Sequence, residues 1–334
     1  EQKRRLIISG TIVVCFAMLL VTARRNNISL DSFWHLKMGL DWLENGQGFW
    51  QDHYSFTFSG KEISSPPYIF QTLLGWLVME LGLDTGFEVY KLISFVTTFS
   101  LVLFFLRLLR SPTIIYCLVL PLIVVMLQIR SIVRPELISY SFSVLAIIFY
   151  YKANNKISTA TMLPITVLML AWSNYHTSIF GYIIFLGFFL DLALQQIRHR
   201  TPISAWLLWL VWGVTIIAVG FLNPGFHHPV IGALTFSPEW KSIIDEYKSA
   251  LMFQNLPAFY SLIVVFLVTT VLLLRNRQFG LLFICLFLGV NSAFMSRLLA
   301  PSGIVILCIF AWAVSEVDVR TRLQHMPKAL NQAI

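Results

Sequence analysis

Asp31 and His35 are the first residues in the chain whose types and spacing suit proton transfer. They lie four positions apart in the segment DSFWHLKMG, so a helix places both side chains on one face. A carboxylate beside an imidazole can act as a general base toward a hydroxyl or an amine. Asp31 also stands where a helix N-cap would stand, and the sequence leaves the two interpretations evenly balanced.

Asp52 is a second candidate, in the sequence QDHYS, just before a short β-like run from Tyr54 to Phe58. Its carboxylate could assist the reaction or bind Mg²⁺ or Mn²⁺, cations that prefer oxygen ligands. The alternative is an Asx turn, in which the side chain accepts hydrogen bonds from nearby backbone N–H groups. Residue type alone favours the turn slightly.

Two arginines at the ends of apolar segments are candidates for binding an anion. Arg134 precedes a proline that begins a helix, and Arg297 is the only charged residue between Gln278 and Glu316. Because a guanidinium can bind phosphate through two hydrogen bonds, the pair predicts a phosphate pocket. Alternatively, each side chain extends to the membrane surface, and Glu136 pairs with Arg134.

These polar residues are set in a strongly apolar chain of 334 residues, of which 57% are hydrophobic and 12% charged. Soluble domains carry about 25% charged residues. The apolar segments are long and lack the alternation of a β-barrel, so we predict an all-α polytopic membrane protein, a single membrane domain over 1–334. About ten transmembrane helices are expected, at 6–23, 87–109, 112–129, 136–151, 158–173, 177–195, 203–222, 258–274, 279–295 and 298–314.

The charges divide between the two sides of this predicted bundle. Short loops and termini on one side hold 14 of the 24 Lys and Arg residues, and 12 of the 16 acidic residues fall on the other side. By the positive-inside rule, both termini are cytoplasmic, and the loops 24–86 and 223–257 face outward. In the first loop, segments 31–44 and 68–82 predict helices lying in the membrane interface. This distribution accounts for the net charge of +8 without a nucleic-acid partner.

Other sequence features exclude several classes of site. The four cysteines lie inside apolar segments, so neither a disulfide framework nor a metal site is indicated. The first span lacks a small-residue cleavage pattern and is read as retained rather than as a signal peptide. There is no Walker motif, nucleotide loop or GxSxG motif.

Short motifs along most of the chain carry a family resemblance. They are Asp31 in DSFWHLKMG, the run DHYSFT from Asp52 to Thr57, Pro66-Pro67, RPEL at Arg134, WSNYH from Trp172 to His176, LNP at Leu222 and the segment IIDEY. In order and sidedness these motifs resemble the GT-C superfamily of polytopic glycosyltransferases, which use sugars linked to polyprenyl phosphate. The first acid lacks the neighbouring Asp or Glu of some branches, which leaves the acceptor open.

The resemblance implies a role for each candidate. Asp31 would be the catalytic base or an acceptor-binding carboxylate, with His35 beside it and Asp52 as a second acid. The outer arginines Arg134 and Arg297 would bind the lipid phosphate. Three further residues are predicted to bind substrate: His176, which otherwise belongs to a polar turn, Asn223, which otherwise stops a helix, and Glu246, which otherwise lies on a solvated face.

The expected function is therefore glycosyl transfer from a polyprenyl-phosphate sugar donor to a glycan, lipid or protein acceptor. The resemblance also implies a bacterial inner membrane and a periplasmic active face. Three alternatives remain: a non-catalytic scaffold subunit with a membrane protein partner, a lipid-linked glycan polymerase or ligase, and a flippase. A flippase would need a polar site at the membrane midplane and usually internal repeats, and the sequence has neither.

Overall fold

The computed structural model describes residues 2–25, 29–46, 48, 51–57, 59–61, 67–153, 157–200, 202–223, 248–250 and 256–324. Within these residues the chain forms α-helices and no β-strand, which confirms the all-α prediction. The helices are α1 (Gln2–Ala23), α2 (Leu30–Asn45), α3 (Tyr68–Leu81), α4 (Leu83–Leu108), α5 (Thr113–Ile129), α6 (Glu136–Ala153), α7 (Thr159–Tyr175), α8 (Ile179–His199), α9 (Ile203–Val219), α10 (Leu256–Asn276), α11 (Phe279–Phe294) and α12 (Leu299–Gln324), with a 3-10 turn at Ser296–Leu298.

Every predicted span falls on one of these helices. Among the described residues, the helices α1, α4, α8, α10 and α12 are long and apolar enough to cross a membrane, and α3, α5, α9 and α11 are shorter apolar helices. The chain is thus a helical integral membrane protein, and the number of spans stays a prediction. Helix α4 begins four residues before its predicted start, because Gly82 adopts a positive φ (81°) that favours glycine, which ends α3 and allows α4 to begin at once.

Helix α12 is the centre of the bundle. Every residue from 299 to 313 is buried, and the helix packs against α5, α6, α10 and α11. Such complete burial follows from its sequence, which is apolar on all sides over this stretch. In contrast, only Ile216 and Val219 of α9 are buried, so that helix lies at the periphery.

Helices α2 and α3, both predicted from the first outer loop, pack tightly against each other. A Cβ added to Gly39 would lie 2.0 Å from the carbonyl oxygen of Gln71, and one added to Gly75 would lie 2.8 Å from the carbonyl carbon of Gly39. The two backbones therefore touch at a crossing that only glycine permits. Helix α3 also contacts α4 and α7, which fixes the hairpin against the bundle.

The helices alternate in direction, so the bundle has two ends with different connections. We call the end that carries residues 29–31, 130–135, 176–178 and 295–298 the loop end, and the end that carries 109–112, 200–202 and 277–278 the turn end. At the turn end Arg110, Arg200 and Arg277 each follow a helix in the left-handed conformation (φ 53°, 49° and 57°), where glycine is usual. A cation at that position is favoured by the negative end of the helix dipole.

Candidate functional site

Five of the predicted site residues meet at the loop end: Asp31, His35, Arg134, His176 and Arg297. They come from α2, from the 130–135 connection, from the residue after α7 and from the turn before α12. Two polar contacts hold the connection in position: Ser32 Oγ donates to the carbonyl oxygen of Val133 at 2.8 Å, and Tyr90 Oη donates to that of Arg134 at 3.0 Å.

Asp31 forms an ion pair with Arg134, with 2.7 Å between Oδ2 and the guanidinium. The Asp31 side chain is 60% exposed, whereas that of Arg134 is 13% exposed. The ion pair therefore lies at the boundary between the solvent and the protein interior. The N-cap of α2 is Ser29, and Asp31 is the second residue of the helix. The capping interpretation of Asp31 is therefore wrong, and its carboxylate is directed to a guanidinium.

Glu136 is the buried centre of the cluster. Its Oε1 accepts hydrogen bonds from Nε and a terminal nitrogen of Arg130 at 3.0 and 2.6 Å, and its Oε2 lies 3.6 Å from a terminal nitrogen of Arg297. The predicted pairing of Glu136 with Arg134 is therefore wrong, because the turn at 131–135 directs Arg130 back to the start of α6. With Asp31 and Arg134 included, the described residues of the cluster contribute three guanidinium groups and two carboxylates.

The two histidines of the cluster are neutral at pH 7. Burial, the adjacent His176 and the charge of Arg134 lower the pKa of His35 to about 3. Burial also lowers the pKa of His176 to about 4, with Glu136 opposing the shift and Arg297 adding to it. Neither imidazole carries a proton on both nitrogens under ordinary conditions, so both serve as neutral hydrogen-bonding groups.

Each ring has a polar neighbour at Nδ1, and for His35 that neighbour fixes which nitrogen carries the proton. The Nε2 amide of Gln71 lies 3.0 Å from Nδ1 of His35, and the Ser139 hydroxyl lies 3.0 Å from Nδ1 of His176. Because an amide nitrogen can only donate, Nδ1 of His35 accepts, and that ring presents an Nε2–H donor. Trp172 Nε1 donates to Ser139 Oγ at 3.2 Å, so Ser139 links the tryptophan to the His176 ring. His35 is thus a donor beside Arg134 and is not hydrogen-bonded to Asp31.

Sequence reasoning did not select Gln71, Ser139 or Arg130 as site residues. Gln71 is fully buried in α3, and its Oε1 has no hydrogen-bond partner among the described residues. An amide inside an otherwise apolar helix was the available signal for Gln71. Ser139 gave none, because a serine in an apolar helix usually bonds to its own backbone.

Asp52 is held in its own turn. Its Oδ1 accepts hydrogen bonds from the backbone N–H groups of Tyr54 and Ser55, both at 2.8 Å, and these bonds lower the pKa of the carboxyl. The predicted β-like run is wrong for residues 54–57, which form bends and turns; Phe58 lies outside the described residues. Tyr54 Oη donates to Asp41 at 2.7 Å and so fastens the turn to α2. In the described part of the chain, no contact joins Asp52 to Arg134 or His35.

Of the other two predicted substrate-binding residues, Asn223 has a described contact at the end of a helix. Asn223 Nδ2 donates to the carbonyl oxygen of Gly220 at 2.9 Å, closing the end of α9. Glu246 lies outside the described residues, as do most of the residues of the second predicted outer loop. Over the residues that the structure describes, no group of three or more His, Cys, Asp or Glu side chains is placed to hold a metal ion.

No family model matches the chain, and no curated protein is significantly similar to it. The cluster is therefore interpreted from its own geometry. Among the described residues, it combines a solvent-exposed carboxylate, three guanidinium groups and two neutral imidazoles at one end of a membrane bundle.

Proposed function

We propose that the chain is a glycosyltransferase that moves a sugar from a polyprenyl-phosphate donor to an acceptor, a glycan, lipid or protein, at the loop end of the bundle. The observation that carries this proposal is the Asp31–Arg134 pair, a 60% exposed carboxylate 2.7 Å from a guanidinium that is itself largely buried. In the proposed orientation the loop end faces the periplasm of a bacterial inner membrane.

The reaction needs a base for the acceptor and a cation for the leaving group. Asp31 would take the proton of an acceptor hydroxyl while the acceptor oxygen bonds to the anomeric carbon. The bond between that carbon and the phosphate oxygen breaks, and its electron pair leaves with the phosphate. A guanidinium has five N–H donors, so Arg134 has the capacity to contact Asp31 and a phosphate oxygen together.

The remaining cluster residues suit the phosphate. Arg297 is 31% exposed and lies 3.6 Å from Glu136, so a second guanidinium stands at the surface of the cluster. His35 presents an Nε2–H donor, and both imidazoles stay neutral. A phosphate would thus meet the guanidinium groups of Arg134 and Arg297, and Gln71 would keep the His35 ring oriented.

Lipid binding is the direct test of this proposal. Purified protein in detergent is mixed with polyprenyl phosphate or with the uncharged polyprenol, and binding is followed by native mass spectrometry. We expect the phosphate to bind more tightly, and Arg134→Gln to weaken its binding about tenfold, the effect of one lost charge-assisted contact. Equal binding of the two lipids would count against a lipid-phosphate site.

The proposed role of Asp31 as the general base is tested by measuring the rate of sugar release. Release of labelled sugar from polyprenyl-phosphate hexoses should fall by at least about 100-fold in Asp31→Asn, the usual contribution of a general base, while polyprenyl phosphate binding is kept. Asp84→Asn is the matched control, because Asp84 is an exposed acid in the first turn of α4. Full turnover in Asp31→Asn would show that another group is the base. Addition of EDTA tests dependence on Mg²⁺ or Mn²⁺ in the same assay.

A non-catalytic scaffold subunit is the second candidate function. One observation favours it: the charged groups of the cluster already pair with each other, as Asp31 with Arg134 and Glu136 with Arg130. A cluster that only holds helices together would look the same. Such a protein would bind polyprenol and polyprenyl phosphate alike and would copurify with a membrane protein partner.

A further inference from the structure

A cavity of about 1120 Å³ opens at the turn end, away from the candidate site. It lies where α6, α8 and α12 approach their ends and where α11 begins. Its polar lining includes two acids, three bases and a glutamine: Asp191, Glu316, Lys152, Arg198, Arg277 and Gln278. The volume is that of a small-molecule site. The mixed charge distinguishes it from the apolar groove of about 390 Å³ between α8 and α9.

The two carboxylates in the cavity are fixed by neutral donors. Asp191 Oδ1 accepts from the backbone N–H of Gly280 at 2.7 Å, and Oδ2 accepts from the Tyr150 hydroxyl. Glu316 accepts from Trp312 Nε1 and from Gln278 Nε2, both at 2.7 Å. Each oxygen thus has one donor and retains capacity for a second. Neither acid forms an ion pair within the described residues, so their charges are oriented but not neutralised by a cation.

Gln278 orients the carboxylate of Glu316 at the wall of the cavity. Its amide nitrogen donates to Glu316, whereas its buried Oε1 has no hydrogen-bond partner among the residues that the structure describes. A buried carbonyl oxygen without a donor is unfavourable and calls for an N–H or O–H group. The acceptors that line the cavity are the carboxylates of Glu316 and Asp191, and the group that best satisfies two carboxylates is an ammonium.

The bases are placed differently from the acids. Lys152, Arg198 and Arg277 are exposed, whereas Asp191 and Glu316 are partly buried, so positive charge lies toward the opening and negative charge deeper in. Arg277 is held at the corner between α10 and α11 by its left-handed backbone (φ 57°). A ligand that matches this order has an ammonium group inside and a phosphate at the opening.

We propose that the turn-end cavity binds a phosphorylated amine, the headgroup chemistry of an ethanolamine phospholipid. The ammonium would contact Glu316 and Asp191, and the phosphate would contact Arg198 and Arg277. A purely anionic ligand would place charge against the two carboxylates, and a simple cation would leave the bases without an anion. The cavity is at an end of the helices, where lipid headgroups lie, and this proposal does not depend on the glycosyltransferase reaction.

The test uses the full chain purified in detergent. Binding of dioleoylphosphatidylethanolamine, dioleoylphosphatidylglycerol and the soluble headgroup glycerophosphoethanolamine is measured by native mass spectrometry. We expect the ethanolamine lipid to bind at least about tenfold more tightly than the glycerol lipid, since the latter has no ammonium. Binding of the soluble headgroup at comparable affinity would identify a free phosphorylated amine as the ligand, and binding of the lipid alone would identify the membrane lipid.

Arg198→Gln should weaken binding of the ethanolamine ligand about tenfold, and Glu316→Gln should remove its preference over the glycerol lipid. Arg200→Gln is the matched control, because Arg200 is an exposed arginine two residues further along that does not line the cavity. Arg198 is exposed, so its variant tests the site even if Glu316→Gln fails to fold. Equal binding of the two lipids, or equal loss in Arg198→Gln and Arg200→Gln, would reduce the effect to general surface charge and overturn the proposal.

Discussion

Carboxylates have different hydrogen-bonding partners at the two ends of the bundle. At the loop end, carboxylates meet guanidinium groups directly, as Glu136 meets Arg130 and Asp31 meets Arg134. At the turn end, Asp191 and Glu316 are held by a tyrosine, a tryptophan, a glutamine and a backbone N–H group, while the arginines stay at the surface. Ion pairs neutralise charge, and neutral donors only orient it. The loop end is therefore a connected electrostatic network, and the turn end keeps oriented acids and exposed bases apart.

This difference predicts that the removal of one acid from each end lowers the free energy of unfolding by unequal amounts. Glu136→Gln leaves Arg130 buried without its carboxylate, and we expect about 3–5 kcal/mol of lost stability. Glu316→Gln keeps an acceptor oxygen for one of its two neutral donors, and we expect about 1–3 kcal/mol. Thermal and denaturant unfolding in detergent compare the two variants. Similar losses at both ends would contradict the proposed difference.

A double variant sharpens the comparison. Arg130→Gln combined with Glu136→Gln removes both charges, so the uncompensated guanidinium is gone. We expect the double variant to recover part of the stability lost in Glu136→Gln alone, because that loss comes chiefly from a buried guanidinium without its carboxylate. Additive losses would show that the two side chains act independently.

A smaller loss is expected at the helix crossing that positions His35. Gly39→Ala would put a Cβ at 2.0 Å from the Gln71 carbonyl oxygen, so α2 and α3 must separate, which we expect to lower stability by about 1–3 kcal/mol. Gly10→Ala in α1 is the control, because no atom lies within 4 Å of its added Cβ. That change should be neutral or slightly stabilising, since alanine favours helix. Unfolding in detergent measures both, and equal behaviour would contradict the close crossing.

Much of the fold and part of the site could be predicted from the sequence. The helices follow from apolar segments and polar breaks. The spacing of Asp31 from His35, the position of Arg134 before a proline and the isolation of Arg297 among apolar residues identify these three side chains. The pairing of Glu136 with Arg130 rather than Arg134 depends on the path of residues 131–135, which no periodicity specifies. Gln71 and Ser139 were missed because their importance comes from the tertiary contacts with His35 and His176.

Acidification should act first on the loop end, where both partly buried histidines lie. Their folded pKa values of about 3 and about 4 lie below the value near 6.5 of an unfolded histidine. The unfolded chain therefore binds more protons below pH 6.5, and the folded state loses about 1.4 kcal/mol per pH unit for each histidine as the pH falls toward 4.

Hydrogen exchange at pH 7 and pH 5 locates this loss. We expect exchange to rise in α2, α3 and the end of α7 before it rises in α11. His176→Gln should flatten the pH dependence by the share of one histidine. If stability were constant from pH 7 to pH 5, the two imidazoles would not be buried in the neutral form.

The smallest effect on stability is expected at the most exposed part of the cluster. Asp31→Asn breaks the ion pair with Arg134, but the carboxylate is 60% exposed, and exposed pairs contribute only about 0–1 kcal/mol. Unfolding in detergent should therefore be nearly unchanged, whereas Glu136→Gln, a short distance along the same network, is strongly destabilised. An exposed acid in a buried network adds little to the fold, so a loss of sugar release in Asp31→Asn at unchanged stability would assign this residue to chemistry rather than to structure. A large loss of stability instead would support the scaffold function.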